Sequence, residues 1–308
     1  MLKKKEVILA KIESTYNTDP TPTNSADAIL CESFEWANEG LRMIDRPAPK
    51  NTLGSYAPVY GGTLKGLTIA VEYRGSGTAG AVNDMSPLLR ACGLGETINV
   101  GTSVIYAPVS TGFESCTIYR YNDGKLQKYT GCVGNLQCNF TTGGFFLFTF
   151  NMVGHFVSET DAAIVVPTYD AAVPAVVISG SFTANAYAAV IAALQFDLGN
   201  VIAMPPDFNG TDGYGTIQIT DRKVTGSFDP QDVLVATHDF MSEFTAGTSM
   251  VLATGTIGPA AGNKIGVGMP AFKYADLGPG DRDGVATLSN SFAAEESSGD
   301  DEVTFTFT

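Results

Sequence analysis

The fold of this chain is decided by the stretch Ala26-Asp27-Ala28-Ile29-Leu30-Cys31-Glu32-Ser33-Phe34-Glu35-Trp36, because its order of segments returns later in the sequence. The second copy opens with Tyr187-Ala188-Ala189-Val190-Ile191-Ala192-Ala193-Leu194-Gln195-Phe196-Asp197. Each stretch precedes a long Pro/Gly/Asn-rich loop, a strand, a Gly break, a short amphipathic stretch and further strands. Two similar β-rich units in one chain favour assembly over catalysis, because each unit can offer its neighbour a sheet edge.

Composition supports a folded, mainly β protein with an acidic surface. The 308 residues are 44% hydrophobic and include 34 glycines, and short apolar runs between turn residues favour strands. Charged residues make up only 16% of the chain, and the net charge is −14. The low content of charged residues predicts that part of the surface is buried against other copies of the chain. The acidic excess argues against nucleic-acid binding, because such binding needs Lys and Arg side chains that contact phosphates.

The sequence shows no secretory signal, no membrane span and no pattern of paired cysteines. The basic opening Met1–Glu6 is followed by an apolar run too short for a secretory signal, and no run approaches a membrane span. The cysteines are odd in number and lack a C-x-x-C pair. We therefore expect reduced thiols in small apolar sites and synthesis in a cytoplasm. These cysteines are Cys31, Cys92, Cys116, Cys132 and Cys138.

The domain organisation follows from the repeat. We predict an extended, Pro-containing N-terminal arm over 1–25, a first β domain over 26–157, a linker over 158–175 and a second β domain over 176–308. The chain ends on the strict alternation Val303–Thr308, which predicts a strand paired to a sheet edge, within the unit or on a neighbour.

Local signals predict several elements. Ala28–Trp36 alternates as a strand, and Ser86–Gly93 has the Ser, Pro and Gly signals of a short helix with Ser86 at the N-cap. The turn Asn122-Asp123-Gly124 predicts a tight hairpin. Gly144–Gly154 is rich in Phe on both faces, so both faces should be covered. A second short helix is predicted near Thr237–Phe244.

Two motifs that carry chemistry elsewhere favour structural roles here. Gly75-Ser76-Gly77-Thr78-Ala79-Gly80 matches the dinucleotide fingerprint, but no helix signal follows until Ser86-Pro87 and no βαβ alternation is present. His155 and His238 belong to no H-x-x-x-H, H-E-x-x-H or G-x-S-x-G motif, so we predict structural roles for both and no catalytic, cofactor-binding or metal site.

Two acidic stretches are predicted at the surface. Asp276–Gly284 resembles a calcium loop, but it lacks a spaced third oxygen donor and a closing Glu, so an acidic turn is predicted. Glu295–Glu302 is predicted as a solvated hairpin tip, with a docking or DNA-repelling surface as the alternative.

The N-terminal residues carry a resemblance to a known family. Val7-Ile8-Leu9-Ala10-Lys11-Ile12-Glu13-Ser14-Thr15-Tyr16-Asn17-Thr18-Asp19-Pro20-Thr21-Pro22, continuing through Asn24–Leu30, is similar to the N-termini of tail tube (major tail) proteins of long-tailed bacteriophages, in particular Mu-like phages with flexible, non-contractile tails.

The resemblance implies tandem tail-tube-like β-sandwich or barrel units, each with a short helix, whose sheets join edge to edge in hollow stacked rings. A duplicated chain is expected to form a trimer with pseudo-sixfold symmetry. The implied partners are further copies, the tape measure protein, the tail terminator and the distal tail proteins. The implied location is the virion tail, assembled in the host cytoplasm, with genomic DNA passing through the lumen without specific binding and no membrane contact. An acidic lining would repel DNA and let it slide.

Two other functions stay open at the level of sequence. Another virion protein, such as a tail terminator or a capsid decoration protein, shares this composition. An enzyme that uses the Gly75–Gly80 loop for a nucleotide is the remote alternative.

Overall fold

The computed structural model describes residues 2–308, which form twenty strands and two short helices. The first half contains β1 (Glu6–Ile12), β2 (Ala28–Ile29), β3 (Ser33–Glu39), β4 (Met43–Ile44), β5 (Val59–Tyr60), β6 (Leu64–Glu72), α1 (Ser86–Ala91), β7 (Leu94–Asn99), β8 (Ser103–Pro108), β9 (Cys116–Asn122), β10 (Lys125–Thr141) and β11 (Phe146–Asp161).

The second half contains β12 (Thr183–Ala184), β13 (Ala193–Asp197), β14 (Val201–Ala203), β15 (Gln218–Asp221), β16 (Thr225–Phe228), α2 (Phe240–Ala246), β17 (Met250–Ile257), β18 (Ile265–Arg282), β19 (Val285–Ala294) and β20 (Thr304–Phe307). The predicted mainly β class with a short helix in each half is confirmed. Neither helix is long or apolar enough to cross a membrane, as far as residues 2–308 extend.

One antiparallel path of eight strands runs through both halves in the order β18-β19-β16-β13-β10-β11-β6-β3. The long strands β10 and β18 bend at irregularities in their pairing, between Thr130 and Val133 and between Tyr274 and Asp276. The part of β10 before its bend pairs with β9, and the part of β18 before its bend pairs with β17. Such bulges let one strand serve two layers, because they twist and bend the chain locally.

The core lies on one face of this path and is shared by both halves. Phe148 and Phe196 belong to neighbouring parts of the path, and both contact Phe305 of β20, with ring centroids 5.8 and 5.9 Å away. All three side chains are buried. The predicted cover over both faces of Gly144–Gly154 holds only for the Phe148 and Phe150 face, because the alternating residues Leu147 and Thr149 remain partly exposed.

The first half of the predicted arm is part of the sheet. Residues 6–12 form β1, which pairs with β9 along its whole length and with β2 on its other edge. Val7–Ala10 is buried, and Lys11, which interrupts the apolar run, reaches out to Asp27 at 3.8 Å. The apolar run is short, but β9 pairs with β1 over all seven of its residues.

One strand prediction and one turn prediction need correction. Ala28–Trp36 is not one strand, because Ala28–Ile29 pairs with β1 whereas Ser33–Glu39 pairs with β6. Asp276–Gly284 is not an acidic loop, because residues up to Arg282 continue β18 and only Asp283 and Gly284 form the turn.

The C-terminal strand and the hairpin turn follow the sequence signals. β20 pairs with β18 of its own half and with β8 of the first half, so the prediction of a paired terminal strand is confirmed. Asp123 and Gly124 have φ angles of 37° and 104°, as a tight turn between β9 and β10 requires.

The two helices differ in how they begin. α1 has Met85 at its N-cap, so the prediction of Ser86 there is wrong by one residue, and the Ser86 hydroxyl donates instead to Glu96 at 2.6 Å. α2 begins after Asp239, whose carboxylate accepts from the Ser242 amide at 2.9 Å.

The five cysteines are unpaired, and four of them are buried. Partial burial raises the pKa of the fifth, Cys31, to about 12, so its thiol stays protonated.

Candidate assembly surfaces

The same four-stranded order occurs twice in the eight-stranded path. The first-half sheet (β10-β11-β6-β3) has a long bent strand at one end and a short strand at the other, and the second-half sheet (β18-β19-β16-β13) repeats this order. The two sheets join where β13 pairs with β10, with Ala193–Asp197 opposite Gln137–Thr141. The short end strand of one sheet therefore meets the long end strand of the other.

The outer ends of the path are unpaired within the described chain. β3 pairs only with β6, although its counterpart β13 is paired on both edges. Residues 276–282 of β18 pair only with β19, although the counterpart segment of β10 also pairs with β13. The chain thus carries one free edge of each kind, and these are the two kinds that meet at its centre.

The polar groups of the free β18 edge point away from the chain. On the neighbouring strand, the Leu288 amide donates to Pro230 at 2.8 Å and Ala286 accepts from the Asp232 amide at 3.0 Å, so both residues direct their backbone groups towards the segment that follows β16 and away from β18. Their partners Pro279 and Asp281 therefore direct their backbone groups outward. Proline in a strand is compatible with such an edge, because only an outward donor is lost.

The face of the path opposite the core is polar except at one end, where Leu64, Val133 and Val153 pack with Tyr214 and Ile217 in a separate apolar cluster. Asp197 accepts hydrogen bonds from the side chains of Asn135 and Gln137, at 2.7 and 2.8 Å. A shallow groove on this face runs across the junction of the two sheets. Its polar lining residues are Gln137, Asn139, Thr149, Gln195, Asp197, Thr225 and Ser227.

Charges on the polar face are mostly acidic. The strand registers place Glu35, Glu72 and Asp276 on it together with Asp197. The same registers place two cations there, and each has a carboxylate partner. Lys273 lies 3.0 Å from Glu295, and Arg282 lies 2.5 Å from Asp229.

A hairpin projects from one end of the sheet. We call residues 40–62 the hairpin arm, to distinguish this segment from the N-terminal arm predicted over 1–25. Its strands β4 and β5 pair only with each other. At its base, the Arg42 guanidinium donates to Gly213 at 3.0 Å and lies 4.0 Å from the centre of the Tyr214 ring. Its large exposed hydrophobic side chains are Leu41, Met43, Ile44, Leu53, Tyr56, Val59 and Tyr60.

The Gly75–Gly80 loop packs against the second half. The Gly75 amide donates to the Asn263 side chain at 2.8 Å, and the Gly77 amide donates to Gly262 at 3.0 Å. A Cβ atom at Gly75 would lie 2.0 Å from the Gly262 oxygen. The glycines therefore allow two backbones to approach closely, where a dinucleotide site would need them to approach a pyrophosphate.

His155 joins three distant segments. Its Nε2 lies 3.0 Å from the Tyr16 hydroxyl, and its Nδ1 lies 2.7 Å from Asp212. The Tyr16 oxygen also accepts from the Ile217 amide at 2.8 Å, and burial raises the pKa of Tyr16 to about 12. His238 stacks on Tyr187 and lies 3.1 Å from Glu243. Both rings are held by protein groups in the described chain.

The acidic segment 295–302 docks on the protein. Arg222 bonds Asp300 and Glu302, at 3.0 and 2.9 Å, and also donates to Val109 at 3.1 Å. Asp300 in addition accepts from the Ser110 amide at 3.2 Å. The prediction of a fully solvated tip is therefore wrong for its C-terminal part, because Arg222 fixes those carboxylates to the first half.

The fold defines a mainly β protein whose repeated sheets leave complementary edges unpaired. The family model described as phage tail tube protein matches residues 4–308, so this chain belongs to the phage tail tube protein family. It is a structural component of the bacteriophage tail, and a structural family indicates a non-enzymatic role. The search of curated proteins found no match. The closer similarity to Mu-like phages stays a prediction.

Proposed function

We propose that copies of this chain close into a ring by pairing the free β3 edge of one copy with the free β18 edge of the next. The observation that carries this proposal is the β13–β10 joint inside the chain, where the counterparts of these two edges already pair. Edge pairing would also remove the strand edges that otherwise promote uncontrolled association.

The repeat supports three copies per ring. Each chain supplies two sheets of the same strand order, so a trimer presents six similar sheets with pseudo-sixfold symmetry. The joint is heterologous, because a β3-type edge meets a β18-type edge, and a heterologous joint must close into a ring or continue as a filament.

In such a ring, the polar face of the eight-stranded path lines the lumen and the core face lies outward. Its cations are paired, and its carboxylates give a negative wall that repels phosphates, so DNA can pass during ejection without being held. Rings stacked in the host cytoplasm would form the tube around the tape measure protein, with the tail terminator and distal tail proteins at its ends.

The substitution with the largest expected effect on assembly lies on the β18 edge. Asp281→Pro removes an outward amide and leaves the β19 pairing intact, so we expect folded monomers that form neither rings nor tubes. Light scattering and negative-stain microscopy measure this, and circular dichroism checks the fold. Asp281→Asn, which keeps the amide, should assemble as the parent does. Normal tubes from Asp281→Pro would refute the edge pairing.

A further inference from the structure

We propose that Trp36 anchors one copy of this chain to the next copy within a ring, and that it packs beside α2 of that neighbour. This inference rests on the proposed edge pairing. It adds the contact between side chains on the outward face of the joint, with a second copy of this chain as the partner.

The repeat gives Trp36 a counterpart inside the chain. Phe34 of β3 and Leu194 of β13 are both buried, and Trp36 and Phe196 follow them by two residues, on the same face of each strand. A glycine with a positive φ angle comes shortly after each strand. Trp36 therefore occupies in β3 the position that Phe196 occupies in β13.

The two aromatic side chains have different surroundings. Phe196 is 4% exposed, and its ring centroid lies 5.7 Å from that of Phe140 in β10 and 5.9 Å from that of Phe305 in β20. Trp36 is 45% exposed and belongs to an edge that has no partner strand within residues 2–308. Tryptophan is among the side chains that contribute most to binding when an interface buries them.

The internal joint predicts which residue lies opposite Trp36. Phe196 pairs with Cys138, which is the second core-facing residue before the β10–β11 turn. The corresponding residue of β18 is Pro279, because Asp281 is the last core-facing residue before the β18–β19 turn. Pro279 has no amide to donate, so the joint between copies depends more on side-chain packing at this place than the internal joint does.

The end of α2 is open where the end of α1 is covered. Gly93 follows α1, and a Cβ atom there would lie 3.0 Å from Ile219, in the segment that follows β13. The preceding Cys92 carbonyl accepts from the Asn200 side chain at 2.7 Å. Gly247 ends α2, and a Cβ atom there would meet no other segment within 4 Å. α2 thus lacks the cover that the chain beyond β13 gives to α1.

An uncovered apolar surface surrounds α2. Leu234 and Val235, which precede the helix, are exposed, and so is Met241 within it. α2 packs on β18 near Tyr274, at the bend where the free edge begins. Clustered exposed apolar side chains indicate an interaction site, and β3 of the next copy would arrive beside this one.

Charge also matches. The Lys65 ammonium lies 4.4 Å from the centre of the Trp36 ring, and its hydrogen-bond partner is the neutral side chain of Asn38. Residues 232–246, around α2, carry three carboxylates and no lysine or arginine. The neighbour therefore presents negative charge where Lys65 arrives together with Trp36, which favours this orientation of the two copies.

Trp36 is the only tryptophan of the chain, which allows a fluorescence test. In the full chain, Ala246→Cys at the exposed end of α2 is labelled with bimane, a dye that tryptophan quenches at close contact. Within one copy the two sites stay apart, because seven strand spacings, about 34 Å along the sheet, separate β3 from β18. Four native cysteines are buried, and burial raises the pKa of Cys31 to about 12, so these thiols should resist labelling.

We expect bimane emission to be severalfold lower in tubes than in the monomeric Asp281→Pro/Ala246→Cys protein. The matched control Trp36→Phe/Ala246→Cys should assemble without this loss. Trp36→Ala, checked for folding by circular dichroism, should raise the concentration needed for assembly by about tenfold or more, and Trp36→Phe by less, because it keeps an aromatic ring.

Tubes in which the dye keeps its monomer emission would overturn the inference and leave the edge pairing intact. Assembly of Trp36→Ala at the same concentration as the parent would overturn it as well. A parent chain that forms no rings would instead refute the proposed function, on which the inference rests.

Discussion

The strands β3 and β13 occupy the same position in the two halves, yet their surroundings differ. β13 lies between β16 and β10, whereas β3 has only β6 beside it in the described chain. The paired strand therefore serves as an internal example of the contact that the unpaired strand lacks. A duplicated chain can in this way carry one interface within itself and leave the equivalent one for another copy.

The halves differ more in the strands that cover the sheet. The first half has the β7–β8 hairpin, whereas the second half has no hairpin between α2 and β17. The second half supplies β20, which inserts between β18 and β8. The two halves are thus interlocked, and the second completes the core of the first.

The largest expected effect on stability tests this interlock. Phe305→Ala removes a fully buried ring that contacts Phe148 and Phe196, so we expect the free energy of unfolding to fall by about 3–5 kcal/mol. Urea unfolding measures the loss. The control Thr306→Ala, on the other face of the same strand, should cost less than about 1 kcal/mol. Equal losses would mean that β20 is not a core element.

A middle-sized effect compares two carboxylates that hold chain segments near the sheets. Buried Glu13 accepts from the amides of Asn17 and Gly131 and from the hydroxyls of Ser115 and Thr117, at 2.6–2.8 Å. Glu13→Ala leaves these donors unpaired, and we expect a loss of about 2–4 kcal/mol in unfolding free energy.

The matched change in the second half is Asp229→Ala. Asp229 accepts from the amides of Ala192 and Ala193, at 2.8 and 2.9 Å, but it is partly exposed and water can replace it. We expect about 1 kcal/mol. A larger loss at Asp229 than at Glu13 in chemical denaturation would reverse the comparison.

The smallest expected effect is a pH dependence at Asp19. Partial burial opposes ionisation, but hydrogen bonds from Tyr119, Thr21 and Lys128 outweigh it and lower the pKa of Asp19. A lowered folded-state pKa stabilises the fold above the ordinary carboxyl pKa, and this stabilisation is lost as the pH falls through the lowered value.

Asp19→Asn should therefore cost less than about 1 kcal/mol at pH 6, because the site is only partly buried and water screens its interactions. The difference from the parent should shrink below about pH 4. Thermal unfolding from pH 3 to 6 measures it. A difference that grows on acidification would contradict the hydrogen-bond explanation.

Local signals in the sequence predicted the elements whose structure depends on neighbouring residues. Asp123-Gly124 predicted the hairpin, Pro87 predicted a short helix, and the alternation at the C-terminus predicted a paired strand. The failure at Asp276–Gly284 has a physical cause, because the glycines and proline that signal a turn also fit an edge strand whose outer donors have no partner.

Local sequence patterns could not predict which distant strands pair with each other. The joint of β13 with β10 connects residues about sixty positions apart, and β20 pairs with β8 across about two hundred. Alternation identifies the face of a strand but not its partner. For the same reason, the repeat predicted that sheet edges would be shared, whereas only the structure identifies β3 and β18 as the free ones.

The most direct test of the edge pairing is a cryo-electron microscopy reconstruction of tubes assembled from the purified chain. It should reveal three chains per ring, with β3 of each chain hydrogen-bonded antiparallel to residues 276–282 of its neighbour, in the geometry of β13 and β10. A ring in which β3 faces solvent, or pairs with any strand other than β18, would contradict the account.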